Sequence, residues 1–198
     1  QTIQEVAKTV GHMTVFQRRP NWTTPLQNRK IGKAEMQEIR ENYDEIFRRC
    51  AESSSCFLHT PDPRKTFDVP EDERRAFWDQ QFNAPGFAMW IGGFSDMLMD
   101  RAANDAVSEF VAEKIRERVD DPKVAEMLTP KDHGFGTRRV PQETFYYEAF
   151  NQPNVELVSI LETPIERITE TGIETTDRTF EFDMIIYATG FDAITGSF

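Results

Sequence analysis

Met184-Ile185-Ile186-Tyr187-Ala188, running into Thr189-Gly190-Phe191-Asp192, is the most telling stretch of this 198-residue chain. A continuous apolar run suits a strand covered on both faces, as in a parallel α/β sheet. Ligands of such sheets lie beyond the carboxyl ends of the strands. The small Ala188, Thr189 and Gly190 at that end leave room for backbone to approach a bulky cofactor. Any buried strand ending in a turn fits the same five residues, so the rest of the chain has to decide.

Upstream, Ile165 to Ile168, Gly172 to Thr175 and Thr179 to Phe182 alternate like a small β-meander, with turns at Thr171-Gly172 and Asp177-Arg178. Val155 to Ile160 is a further strand, and Thr144 to Phe150 has room for one or two helical turns. At the other end, Ile3, Val6, Ala7 and Val10 fall at helical spacing, Gly11 suits a stop, and Met13 to Gln17 has strand composition. Helix, turn and strand make two-thirds of a βαβ unit. Between these ends the pattern is helical. One long helix is expected over Lys33 to Cys50, with Met36, Ile39, Tyr43, Ile46, Phe47 and Cys50 as its apolar stripe. Others are expected over Glu71 to Phe82 and Arg101 to Val119. Asp121-Pro122 supplies an N-cap and first-turn proline for a short helix to Leu128. Ser53 to Pro70, with three prolines, is a loop.

The expected fold class is therefore α/β: a partial Rossmann-type NADP-binding domain with a large helical insertion and a small β-meander. Residues 1–30 begin the nucleotide-binding domain, 31–129 form the insertion, 130–190 return to that domain, and 191–198 start a passage into another. The first residue lies within a helix and the last is eight past Gly190, so the chain reads as an internal fragment.

Composition narrows the partners. A net charge of −11 would repel the phosphates of nucleic acid. No apolar run approaches the ~18 residues that span a bilayer, and no signal peptide opens the chain. Cys50 and Cys56 have no metal spacing and read as free thiols of a cytoplasmic protein. His12, His59 and His133 are scattered, without the spacing of metal ligands.

In so acidic a chain, the two adjacent arginine pairs that fall outside the expected helices stand out. Arg18 and Arg19 end the strand Met13 to Gln17, where a dinucleotide-binding unit meets the ribose of its ligand. A carboxylate there suits NAD; a guanidinium suits the additional 2′-phosphate of NADP, because its planar fork pairs with phosphate oxygens. A solvated basic turn has the same residues. Arg138 and Arg139 follow the glycine-loosened Gly134 to Gly136 and precede Val140-Pro141, which favours extended backbone. Extended neighbours point to opposite sides, so one arginine can hold phosphate while the other faces a reaction centre. Solvent exposure of both is the alternative.

Four segments together, Thr14 to Trp22, Asp96 to Phe110, Pro130 to Pro141 with Tyr146-Tyr147, and Ala188 to Asp192, resemble Baeyer–Villiger monooxygenases. The resemblance runs in order over essentially the whole chain. It implies an enzyme with FAD and NADP as cofactors, a ketone and O₂ as substrates, and an ester or lactone as product. Gln1 would follow the glycine-rich loop of the NADPH domain. Arg18 would bind the 2′-phosphate, and Arg19, where the family more often has threonine, would add a second contact. Arg138, where lysine is common, would serve the nucleotide. Arg139 matches the catalytic arginine, whose permanent charge can steady developing negative charge on oxygen. Ala188, Thr189 and Gly190 match the passage between the two cofactor domains. Neither Gly-x-Gly-x-x-Gly fingerprint occurs here, so the segment alone is expected to bind FAD poorly and to be inactive. Oligomeric state and the particular ketone are open. Two alternatives remain: a related flavin monooxygenase acting on nitrogen or sulfur, and a non-catalytic helical interaction module.

Overall fold

The computed structural model describes residues 2–188 and Gly190. The chain divides into two compact units, Gln1–Val15 with Arg19–Leu157, and Phe16–Arg18 with Val158–Phe198.

In the first unit, helix α1 (Thr2–Val6) precedes strand β1 (Met13–Gln17), whose last two residues belong to the second unit. Next come β2 (Thr24–Pro25), α2 (Lys33–Glu41), α3 (Tyr43–Glu52), α4 (Glu71–Asn83), α5 (Ala88–Ile91), α6 (Arg101–Arg118), α7 (Pro122–Leu128) and β3 (Gln142–Glu143). A 3₁₀ turn (Glu148–Asn151) leads to β4 (Val155–Ser159), whose last two residues likewise belong to the second unit and which pairs with β1. Met13 N–H donates to Asn154 O at one end and Ile160 N–H to Gln17 O at the other, so β1 and β4 run in the same direction.

The core forms around α6, because its apolar residues recur at helical spacing over five turns. Ala103, Val107, Phe110, Val111, Ala112 and Ile115 are buried along it. Trp78 and Phe82 of α4 lie on Phe110, with ring centroids 5.5 and 6.2 Å away. Each such side chain contributes roughly 1.5–3 kcal/mol by leaving water. The starts of α6 and α7 are capped. Asp100 accepts from Ala103 N–H at 2.8 Å and Asp121 accepts from Lys123 N–H at 2.8 Å.

A contact of only two residues per strand joins distant parts of this unit. β2 runs parallel to β3, with Thr24 opposite Gln142 and Pro25 opposite Glu143. Thr24 N–H donates to Pro141 O and Leu26 N–H to Glu143 O. Through this pairing the stretch after Arg19 lies beside the stretch that carries Arg138 and Arg139.

The second unit holds the meander, β5 (Ile165–Ile168), β6 (Gly172–Thr175) and β7 (Thr179–Glu181), paired antiparallel in that order. Gly172 is required: a Cβ there would sit 1.8 Å from Phe180 O. Phe16 packs edge-on against Phe180 and Phe182.

Three local expectations are corrected. Met184 to Ala188 is not a strand: Met184, Ile186 and Tyr187 are 76%, 57% and 65% exposed. A parallel strand needs a neighbour for its backbone and cover for its faces, and the described residues of the second unit supply neither. The helix expected over Lys33 to Cys50 is two helices broken at Asn42, whose φ of −108° and ψ of 13° leave the helical range. Asn42 Nδ2 donates to Glu38 O, a local bond that competes with the helical ladder. Its apolar stripe is not core, since neither helix buries a residue and Phe47 is 65% exposed. The first helix ends at Val6, and Ala7 to Thr9 continue as turns.

Candidate functional site

The stretch Arg19-Pro20-Asn21-Trp22 and the loop Pro130 to Val140 meet in the first unit, and side chains tie them together. Trp22 is buried, and its indole N–H donates to His133 O at 2.9 Å. Asn21 Nδ2 donates to Arg139 O at 3.0 Å. The loop is fixed from beneath by α6. Asn104 Nδ2 donates to Met97 O and Phe135 O, and Phe135 N–H donates to Ser108 Oγ. Gly134 passes so close to Asn104 that a Cβ would stand 1.6 Å from its Oδ1. Only glycine allows this approach.

On this frame Asp132 gathers the arginines. Its Oδ2 accepts from Arg19 Nη1 at 3.3 Å and from Arg138 Nη2 at 3.2 Å. His133 Nδ1 lies 2.7 Å from the other carboxylate oxygen, and His133 Nε2 lies 3.0 Å from Asn21 Oδ1. The His133 hydrogen bond, aided by the charge of Arg138, holds the Asp132 carboxyl below the usual carboxylate range. Arg19 and Arg138 remain about half exposed. Two solvent-reachable guanidinium groups sharing one anionic oxygen form a donor set that suits a phosphate. The Arg139 guanidinium is exposed and meets no carboxylate among the described residues, while its carbonyl is anchored by Asn21.

The loop also borders an open groove of about 720 Å³ between α6, α7 and residues 129–137. Behind the arginine stretch, Arg118 donates to Glu143 at 2.8 Å and doubly to Glu148 at 2.7 and 2.8 Å. Burial opposes the charge on Arg118, but these bonds outweigh it and raise its pKa. Tyr147 stacks beneath Arg118, and Thr23 Oγ1 donates to its hydroxyl at 3.0 Å. Burial pushes the phenol of Tyr146 up to about 12 and that of Tyr147 higher still, so both stay neutral.

Of the residues singled out from sequence, the structure brings together Arg19, Arg138 and Arg139. Arg18 is exposed and belongs to the second unit, as do Ala188 and Gly190. Gly190 has φ +84°, a conformation that favours glycine. Gln1 and Thr189 lie outside the described residues. Asp132, His133 and Asn21 were not foreseen, because a carboxylate, an imidazole and an amide with no common spacing become one network only when the two stretches meet.

No family model matches the chain. It is 48% identical over 197 residues to 2-oxo-Δ³-4,5,5-trimethylcyclopentenylacetyl-CoA monooxygenase of Pseudomonas putida, covering the whole chain and 36% of that protein. It is 40% identical to cyclopentanone 1,2-monooxygenase of Comamonas sp. (strain NCIMB 9872), over 99% of the chain and 36% of the relative. Among solved structures, OTEMO in complex with FAD and NADP matches with a TM-score of 0.95 and 48% identity, over 98% of this chain and 37% of that one. The chain thus spans about a third of the relatives it matches. Over that whole span it is homologous to the Baeyer–Villiger monooxygenases.

Proposed function

We propose that this chain is the NADPH-handling segment of an FAD- and NADPH-dependent monooxygenase that inserts one oxygen atom of O₂ next to a ketone carbonyl, giving an ester or lactone. Within the first unit Arg19 and Arg138 bind the nucleotide phosphate; for Arg18, in the second unit, the 2′-phosphate role rests on the family resemblance alone. Arg139 is the catalytic residue. Gln1 and the stretch Ala188-Thr189-Gly190 are assigned to cofactor binding by the resemblance of the sequence alone. Residues 1–30 and 130–190 are the nucleotide-binding domain, 31–129 its helical insertion, and 191–198 lead to the FAD domain. With Cys50 and Cys56 both free, the cytoplasm is the compartment that fits; among the described residues no helix is long and apolar enough to cross a membrane.

One observation carries this reading: the meeting of Arg19 and Arg138 on a single Asp132 oxygen, at 3.3 and 3.2 Å. Guanidinium groups arranged on one oxygen are arranged for a phosphate oxygen too, and their half exposure leaves them reachable. When bound, reduced FAD supplies the oxygen-activating chemistry. This segment's part is to hold the nucleotide, to anchor the Arg139 backbone through Asn21, and to present a charge that does not titrate.

The test uses the full-length enzyme with cyclic ketones and amines as substrates. Arg138→Ala should weaken NADPH by about tenfold or more, the effect of a lost charged hydrogen bond, and leave NADH nearly unchanged. Equal loss for both nucleotides would remove the phosphate role. Amine oxidation without ester formation would remove the proposed reaction.

A further inference from the structure

His133 has acceptors at both ring nitrogens. Asp132 Oδ1 lies 2.7 Å from Nδ1, and an ionised carboxylate can only accept. At the other nitrogen, 3.0 Å away, lies Asn21 Oδ1. The orientation of that amide is not free: its Nδ2 donates to Arg139 O, so turning it over would set two oxygens against each other. A neutral imidazole has one N–H and can satisfy only one of these partners. The ring satisfies both only with a proton on each nitrogen. Its side chain is 6% exposed, so water is poorly placed to substitute for either bond.

We propose that His133 is a positioning residue whose doubly protonated ring couples the phosphate-binding arginines to the catalytic arginine. On one side it fixes Asp132, and Asp132 fixes Arg19 and Arg138. On the other it fixes Asn21, and Asn21 fixes the Arg139 carbonyl. Loss of one ring proton breaks one of the two links, leaving the arginine stretch 138–139 without half of its tether. The proposal rests on the roles given above to Arg19, Arg138 and Arg139.

The charges around the ring are mixed, so none of them replaces this proton. Asp132 is in contact, with Arg19 and Arg138 behind it. Lys131 is turned toward Glu126 at 3.0 Å. Along the groove α6 adds Arg101, Asp105, Glu109 and Arg116, with Asp100 at its start. Trp22 packs against the ring edge-on and brings no charge.

The coupling predicts a particular effect of Asp132→Asn. The introduced amide can donate to Nδ1, so a neutral ring then satisfies both neighbours. Binding of NADP⁺ and NAD⁺ to the full-length flavoenzyme would be measured as a pH profile above the ~6 second ionisation of a phosphate monoester. NADP⁺ affinity of the unaltered enzyme should fall about tenfold as His133 loses its proton, the effect of one charge-assisted hydrogen bond. In Asp132→Asn that fall should vanish. Histidine-selective ¹⁵N labelling, with His133→Gln to identify the signal, should show both ring nitrogens protonated at the acidic end of the range. A His133 signal of a neutral tautomer throughout, or the same pH profile in both enzymes, overturns the proposal. Equal binding of NADP⁺ and NAD⁺ alongside a doubly protonated ring would instead overturn the phosphate role.

Discussion

At the scale of single residues, Arg139 and Gly134 make opposite kinds of demand. Arg139 offers a charge and little packing, being exposed and held by its carbonyl. Arg139→Ala in the full-length enzyme should therefore leave folding and flavin reduction by NADPH intact and abolish ester formation. Stopped-flow absorbance and product analysis check the two halves, and undiminished ester would refute the role. Gly134 offers no chemistry, but the Cβ of Gly134→Ala would meet Asn104 Oδ1 at 1.6 Å. Asn104 is buried and committed to Met97 O and Phe135 O, so it has nowhere to retreat. Overpacking of this kind costs about 1–3 kcal/mol. A lowered urea midpoint checks it, and an unchanged one means that the loop moves freely off α6. From sequence Gly134 showed only as a loosener of its loop. Its tight approach to α6 was not legible, because Asn104 is thirty residues away.

At the scale of elements, capping and periodicity explain which segments were legible. α7 (Pro122–Leu128) coincides with the expected helix because Asp121 and Pro122 mark its start by local chemistry. Strands β1 and β5 to β7 were legible for a similar reason, since their patterns and turns involve near neighbours. β2 and β3 were not, because two residues including a proline carry no periodic signal. The β2–β3 region is held by Arg118, which joins the end of α6 to Glu143 and Glu148. Burial raises the Glu148 pKa, but the bond from Arg118 more than offsets it and the net shift is downward from 4.5. A depressed carboxyl stabilises the fold above its unfolded value and loses that contribution as pH falls through the folded one. The urea midpoint should accordingly be flat above pH 4.5 on this account and decline below it. Arg118→Ala should cost about 3 kcal/mol at neutral pH, since Glu143 is left buried beside no cation. It should also make the acid decline shallower. A parallel downward displacement of the whole curve would mean that this ion pair does not set the acid limb.

At the scale of the whole molecule, the chain by itself determined the α/β class, the central helices, the meander and the two arginine pairs, because each is written in residues a few positions apart. What only the tertiary structure decided was which charges meet. Asp132, His133 and Asn21 link positions more than a hundred residues apart, through a core on α6 that holds two loops in register. The run Met184 to Ala188 marks the same boundary from the other side, for its apolar residues state a need for cover and cannot state who provides it. Local bonding is encoded locally; the pairing of distant polar groups depends on packing that places them, and no spacing along the chain records it.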